Sequence, residues 1–186
     1  MNVGTDYQVL LEQAKQAAEI ARKKAEEAKV AVERETAEAE EANAEVDKAN
    51  ENVTTQNNEY VAANAKVSSA QASYDNAVAL LNSLLGSEDQ DAIDRAQAEV
   101  DRLKAELDKA KEEAQKEYDE LVKAQQDAQT ALARAEIEQK EAEQSVKDLE
   151  TAEAELAEAE AALKEAEESA EAAAAEEAKL EKDVSQ

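Results

Sequence analysis

Carboxylates are the reactive side chains that this chain offers in quantity, and they decide which chemistry it could perform. The sequence holds 47 Asp and Glu residues but no His and no Cys. The commonest catalytic bases, thiol nucleophiles and zinc ligands are therefore missing. Paired-carboxylate catalysis needs a shielded cleft that separates two pKa values, and a helical rod of the kind predicted below has no such cleft. We expect no enzymatic activity, no cofactor and no metal site.

Calcium is the metal ion that the acidic residues would suit best. Asp89, Asp91 and Asp94 cluster near the middle of the chain. No loop of the D-x-D-x-D-G type, with its Gly and terminal Glu, surrounds them. We interpret these aspartates as the N-terminal residues of a helix, where the helix dipole favours negative charge.

The formal net charge of −26 limits the kinds of partner. Residues 1–87 hold 15 acidic and 8 basic residues, and the remainder holds 32 acidic and 13 basic residues. Nucleic acid and anionic membranes should be repelled, whereas a basic protein surface should be attracted. The simplest interpretation is a solvated acidic coat that keeps the chain soluble. The segment 148–177, with 12 acids and one Lys, is the best candidate for recruiting a basic host protein.

A heptad repeat organises the first half of the chain. Apolar residues recur alternately every four and three residues from Tyr7 to Leu84, and only Glu35 and Gln56 interrupt them. One row of this stripe carries Leu, Val and Tyr, and the other row is nearly all Ala. Such a repeat is typical of a left-handed coiled coil, and the small residues allow two helices to approach closely.

A second heptad stripe begins at Ile93 and continues to Ala173. Between the stripes, Gly86 could adopt the left-handed conformation that ends a helix, and Ser87 with Gln90 would form a capping box. The sequence therefore predicts an all-α protein, a long antiparallel two-helix coiled-coil hairpin. It would be a single elongated module over 1–186, with helix 5–85, turn 86–87 and helix 88–184.

Folding at this turn predicts the register of the two helices. With Leu84 opposite Ile93, the frame runs without a slip until Tyr7 lies opposite Ala170, and a large residue faces a small one in most layers. At 1.5 Å per residue, each helix would be about 120 Å long. Residues beyond about 173 have no partner in this pairing.

Three features of the stripes leave alternatives open. The segment 50–58 is rich in Asn and Thr, so a break there would produce a three-helix bundle instead. Tyr118, Leu132 and Val146 widen the apolar stripe, so a third helix or a homodimer partner could dock. The seam carboxylate of Glu35 would snorkel to solvent, or it would mark a site for register or a partner.

The residues that we predict to contact a partner lie in the second half of the chain. Tyr118 flanks the stripe and is the aromatic residue most available for binding. The acidic candidates are Glu150, Glu153, Glu160 and Glu167.

Several short segments of the sequence resemble the helical regions of Gram-positive cell-surface proteins. They are KAEEAK at 24–29, AQASYDNA at 70–77, DKAKEEA at 108–114 and AEAELAEAE at 152–160. The same kind of composition, rich in Ala, Glu and Lys, is typical of pneumococcal surface protein A, M-like proteins, antigen I/II adhesins and enterococcal surface-exclusion proteins.

The resemblance implies an extracellular stalk within a larger wall-anchored protein, which acts as a spacer or binds a basic host protein along its side. No apolar run suggests a membrane span or a signal peptide, so we expect a fragment without its signal and anchor, and no direct membrane contact. An intracellular structural coiled-coil scaffold is the rival interpretation.

Overall fold

The computed structural model describes the backbone of residues 3–184 and the side-chain exposure of residues 6–181. Two helices, α1 (Val3–Leu84) and α2 (Gln90–Val184), account for nearly all of the described backbone, which contains no strand. The helices pack against each other as an antiparallel hairpin. The predicted fold class is confirmed.

The segment 50–58 lies inside α1 and does not interrupt it. The hydroxyls of Thr54 and Thr55 donate hydrogen bonds to the carbonyls of Asn50 and Glu51, at 3.0 and 3.1 Å. These side chains therefore bond to the preceding helical turn instead of opening a loop. The alternative three-helix bundle is wrong, because the continuous heptad stripe outweighs the weak helix propensity of this segment.

The chain divides into two compact units, each a paired part of the hairpin. Unit 1 comprises Met1–Glu41 with Glu136–Gln186, and unit 2 comprises Ala42–Ala135. The buried apolar residues of unit 1 are Ala18, Ala21, Ala25, Ala39 and Ala152. Those of unit 2 are Ala42, Ala63, Ala77, Ala96, Val100, Leu107, Ala114, Leu121, Ala124 and Ala135.

Every one of these buried residues occupies a predicted heptad position, which confirms both stripes. The two cores differ in the size of their buried side chains, because unit 1 buries only Ala, whereas unit 2 also buries Val100, Leu107 and Leu121. A buried Leu or Val contributes about 1.5–3 kcal/mol, more than an Ala methyl can. The larger buried side chains of the described chain therefore lie in unit 2.

Ion pairs within each unit agree with the predicted register. In unit 1, Lys24 Nζ contacts a carboxylate oxygen of Glu155, two residues from the position predicted opposite Lys24. In unit 2, Arg134 Nη1 lies 2.9 Å from Glu45 Oε2, with the same offset. This small stagger is expected because flanking side chains reach along the helix axes as well as across them.

The turn differs from its prediction in the residue that caps α2. The side chain of Asp89 accepts a hydrogen bond from the backbone N–H of Ala92 at 3.0 Å, and α2 begins at Gln90. Asp89 is therefore the N-cap, and the predicted capping box of Ser87 and Gln90 is wrong. Ser87 Oγ instead accepts a hydrogen bond from the N–H of Asp89 at 2.9 Å, which orients the cap.

Gly86 does not adopt the predicted left-handed conformation, since no described glycine has a positive φ. The N–H of Ser87 donates to the carbonyl of Leu84 at 2.9 Å, which closes the end of α1 with a tight turn. A Cβ at Gly86 would meet no atom within 4 Å. This turn therefore does not require glycine for either conformational or steric reasons.

Helix α2 continues beyond the paired stripe. Ala173 is the last half-buried residue, and the described side chains at 174–181 are all exposed. The predicted end of the paired stripe is therefore confirmed.

Candidate functional site

The predicted acidic partner face lies on α2 in unit 1. Glu150, Glu153, Glu160 and Glu167 are all exposed, as a binding surface requires. Glu160 is already engaged, because its Oε1 accepts hydrogen bonds from Arg22 Nε and Nη2 at 3.1 and 3.0 Å. This interhelical ion pair neutralises part of the charge that a basic partner would meet.

A row of cations on α1 borders this acidic face, and the sequence analysis missed it. Lys15, Arg22 and Lys29 recur every seven residues, so they occupy the same heptad position. Glu153, Glu160 and Glu167 also recur every seven residues, so Lys29 is related to Glu153, and Lys15 to Glu167, by the same spacing as Arg22 to Glu160. The heptad spacing of the three cations was the signal that could have revealed this row.

The acidic residues that remain for a partner lie on the outer surface of α2. Glu150, Glu158 and Glu165 are exposed, and their carboxylates form no hydrogen bond or ion pair with the described part of the chain. Neighbouring residues of this set are eight and seven positions apart, which is about two helical turns. A basic partner would therefore approach the back of α2, away from Lys15, Arg22 and Lys29.

Tyr118 belongs to unit 2, whereas the four predicted glutamates belong to unit 1. Tyr118 is 46% exposed, and its ring packs on that of Tyr60 of α1, with ring centroids 5.5 Å apart and planes inclined at 54°. An open groove surrounds this pair. It is lined by Tyr60, Asn64, Val67, Lys111, Ala114, Gln115 and Tyr118. We call this side of unit 2 the tyrosine flank.

The opposite side of unit 2 has different chemistry, and we call it the glutamate flank. Its groove is lined by Glu59, Ala62, Ala63, Lys66, Glu113, Lys116 and Glu117. Lys66 Nζ lies 3.9 Å from Glu113 Oε2 across the two helices. The two flanks of unit 2 thus separate an aromatic and amide-bearing surface from a charged one.

Two groups of three glutamates bring carboxylate oxygens within 4.8 Å of one another. One group is Glu35, Glu38 and Glu138 in unit 1, and the other is Glu59, Glu117 and Glu120 in unit 2. Such groups could ligate a hard cation such as Ca²⁺. Exposed carboxylates also cluster without any ion, so the expected absence of a metal site stays a prediction.

The burial of Glu35 decides whether its carboxylate snorkels to solvent, which was one of the two interpretations of this seam residue. Its side chain is only 12% exposed, so it does not snorkel out of the seam. Its carboxylate accepts a hydrogen bond from Arg34 Nε at 3.1 Å. This interaction raises the pKa of the Arg34 guanidinium above its usual value. A neighbouring cation thus compensates the charge of Glu35 within the seam.

Asp89, Asp91 and Asp94 lie at the N-terminus of α2, as interpreted from the sequence. Asp89 caps α2 and Asp91 lies in its first turn. Asp94 accepts a hydrogen bond from Gln90 Nε2 at 2.8 Å, one turn earlier. All three aspartates therefore have structural surroundings that account for their positions.

Arg102 forms a charge cluster in unit 2 with two carboxylates of its own helix. Its guanidinium contacts the carboxylates of Glu99 and Glu106, one turn before and one turn after it on α2. The hydrogen bond from Arg102 lowers the pKa of Glu99, and the two carboxylates raise the pKa of Arg102. The cluster is exposed and lies within one helix, so it supports the helix and creates no reactive group.

Comparison with known protein families, curated proteins and solved structures finds no match to this chain. Within the described residues, neither helix contains a stretch apolar and long enough to cross a bilayer.

Proposed function

We propose that this chain is a non-enzymatic extracellular stalk and adhesion module of a cell-wall-anchored surface protein from a Gram-positive bacterium. The observation that carries the proposal is the continuity of the helices, which run for 82 and 95 residues. At a rise of 1.5 Å per residue, the contour length of α1 is about 120 Å. A spacer needs length that does not collapse, and a paired helix supplies it with its backbone hydrogen bonds satisfied internally.

The composition of the seam supports this spacer role. Alanine at most buried positions lets the helices lie close together, and the charged residues remain on the outer surfaces. A strongly acidic coat keeps such a module soluble. The lateral face available to a basic host protein is the outer surface of α2 in unit 1, around Glu150, Glu158 and Glu165.

Localisation is the sharpest test, because an intracellular scaffold is the competing function. Antibodies against the purified chain would be applied to intact and to permeabilised cells of the organism that encodes it. Labelling of intact cells, lost after brief surface proteolysis, is expected. Labelling that requires permeabilisation would contradict the extracellular stalk and favour the intracellular scaffold.

The spacer role predicts that length matters. An epitope inserted in the turn of the hairpin would be displayed on a bacterial surface, with and without two matched heptads removed from each helix. Antibody access to the epitope should fall as the hairpin shortens. Equal access for both lengths would contradict a spacer.

The lateral binding role depends on charge at a defined place. Hen egg-white lysozyme, a basic protein, would serve as the probe in a binding assay at low and high salt. The triple variant E150Q/E158Q/E165Q should weaken binding more than E51Q/E88Q/E112Q, which removes the same charge from exposed positions of unit 2. Equal losses would mean that net charge attracts the probe without a defined face.

A further inference from the structure

The tyrosine flank of unit 2 is a charge-poor surface on a strongly acidic chain. Between residues 52 and 74, α1 carries only two charged side chains, Glu59 and Lys66. Both line the groove of the glutamate flank. The tyrosine side of this segment therefore presents no charge, although 37% of the residues in the chain are charged.

The helical face of α1 on this flank combines amides with an exposed apolar residue. Steps of three and four residues lead from Thr54 through Asn57, Val61 and Asn64 to Ser68. Val61 is 57% exposed. The hydroxyls of Thr54 and Ser68 donate to carbonyls of their own helix, so they need no outside partner.

Helix α2 repeats this chemistry on the same flank. The same steps from Tyr118 lead through Val122, Gln125 and Gln129 to Leu132, and none of these residues is charged. Leu132 is 51% exposed and Tyr118 is 46% exposed. Lys111 ends the uncharged row of α2 on the side nearer the turn, and it lines the groove together with Asn64 and Val67 of α1.

We propose that the tyrosine flank of unit 2 is the surface on which a second copy of this chain docks, in a two-fold symmetric four-helix arrangement. Two copies each carry a net charge of −26, so contact between most of their surfaces is opposed by repulsion. The tyrosine flank reduces this repulsion, because Lys111 is the one charged residue among those that line its groove, and it is not an acid. Val61, Tyr118 and Leu132 supply the apolar area that association would bury.

The amide side chains make this flank complementary to itself. An Asn or Gln side chain carries both donors and an acceptor, so the same residue can satisfy its symmetry mate. In a two-fold interface the same patch of both copies meets, and therefore a surface of acids or of bases could not serve. Asn57, Asn64, Gln125 and Gln129 fulfil this condition.

The size of the flank matches a reversible dimer. At 1.5 Å per residue, the uncharged segment of α1 (52–74) runs for about 33 Å and that of α2 (118–132) for about 21 Å, and each helix is about 10 Å wide. The predicted register places Tyr118 opposite Glu59, so the two segments overlap only in part. The contact would bury about 500 Å² on each copy, or about 1,000 Å² in total, which is the size of a weak, reversible interface. A basic partner would gain nothing from this uncharged surface and would prefer the acidic face of unit 1.

Sedimentation equilibrium of the whole chain tests the dimer, from about 1 to about 200 µM protein and at about 0.1 and 0.5 M NaCl. We expect a reversible monomer–dimer equilibrium that tightens at the higher salt, because salt screens the repulsion between the copies. A chain that remains monomeric throughout this range would overturn the proposal, including the case in which the flank binds a different uncharged protein.

A matched pair of variants locates the interface. Q125E/L132E places two acids on the tyrosine flank, whereas L80E/Q126E places two acids elsewhere on unit 2. Leu80 is likewise an exposed leucine, two heptads after Lys66 on the glutamate flank. The first variant should weaken the dimer by about 100-fold or more, since like charges are juxtaposed across a two-fold interface, and the second should change it little. Equal weakening would overturn the assigned surface.

Spin labelling provides a second measurement that does not depend on weakened binding. The chain has no cysteine, so a single V61C label reports one position. Intermolecular dipolar coupling should be strong for V61C and weaker for L80C, and circular dichroism should show unchanged helix content for both. Stronger coupling at L80C would place the dimer on the glutamate flank and refute the proposal.

Discussion

The rings of Tyr60 and Tyr118 contact each other between the two helices of unit 2, with centroids 5.5 Å apart and planes inclined at 54°. Tyr60 belongs to the heptad stripe of α1, whereas Tyr118 lies one residue outside the stripe of α2. The tilted geometry is among those that aromatic pairs favour. The contact extends the seam towards the surface and covers one side of it.

This contact predicts a measurable coupling between the two tyrosines. In a double-mutant cycle with Y60L and Y118L, the coupling free energy should be about 0.5–1.5 kcal/mol, since replacement of either ring removes the aromatic pair. Urea unfolding followed by circular dichroism at low protein concentration would provide the values. A cycle of Y60L with L132A is the control and should be additive within about 0.5 kcal/mol. Additivity of the tyrosine pair would contradict the contact.

The cap of α2 predicts an order of effects in the turn. D89A should lower the free energy of unfolding by about 1 kcal/mol, because the N–H of Ala92 loses its acceptor. D89N retains a capping oxygen and should recover most of the loss. D91A, in the first turn of the helix, is the control for charge alone. If S87A proved more damaging than D89A, Ser87 would be the cap after all.

Gln56 predicts a stabilising substitution in the seam of unit 2. Its Oε1 is buried and has no hydrogen-bond partner. Replacing the side chain with an apolar one removes this unsatisfied acceptor, so Q56L should raise the free energy of unfolding by about 1–2 kcal/mol. Q56A, which matches the alanines of the same row, is the second variant, because it removes the same acceptor and is too small to overpack the seam. The exposed substitution Q126L should have little effect, and a loss of stability in both seam variants would contradict the prediction.

The Arg102 cluster predicts a local dependence on pH. Because the hydrogen bond from Arg102 lowers the pKa of Glu99, the folded state favours the ionised carboxylate. The contribution to stability is therefore present above the ordinary pKa of Glu and is lost as the pH falls through the lowered pKa of Glu99. Side-chain carbon NMR should show Glu99 titrating below its usual range, and R102A should return it to that range. An unchanged titration in R102A would contradict the assignment.

The heptad pattern predicted the hairpin well because burial in a coiled coil depends mainly on periodicity. Ala42 and Leu121 could be assigned to the core from their spacing alone, and both are buried. The Asn-rich segment 50–58 shows the same dominance, since the stripe crosses it and α1 remains continuous. Local propensity was the weaker signal there.

The candidate surfaces were predicted less completely. The exposure of Glu150, Glu153, Glu160 and Glu167 followed from their positions, but the pairing of Glu160 with Arg22 did not. Which carboxylate a cation reaches depends on the rotamers of two long side chains and on the axial stagger of the helices. Several neighbouring glutamates satisfy the sequence pattern equally well.

By itself, the sequence determined that two helices form, which residues line their seam and how the seam is aligned, because each follows from a repeat of seven. Only the tertiary structure decided that Asp89 caps α2, that Tyr118 rests on Tyr60, and that the charges of α1 at 52–74 lie on one flank of unit 2. These outcomes depend on distances between individual atoms. A repeat specifies the face that a residue occupies, but the packing of the two helices selects the atom that it contacts.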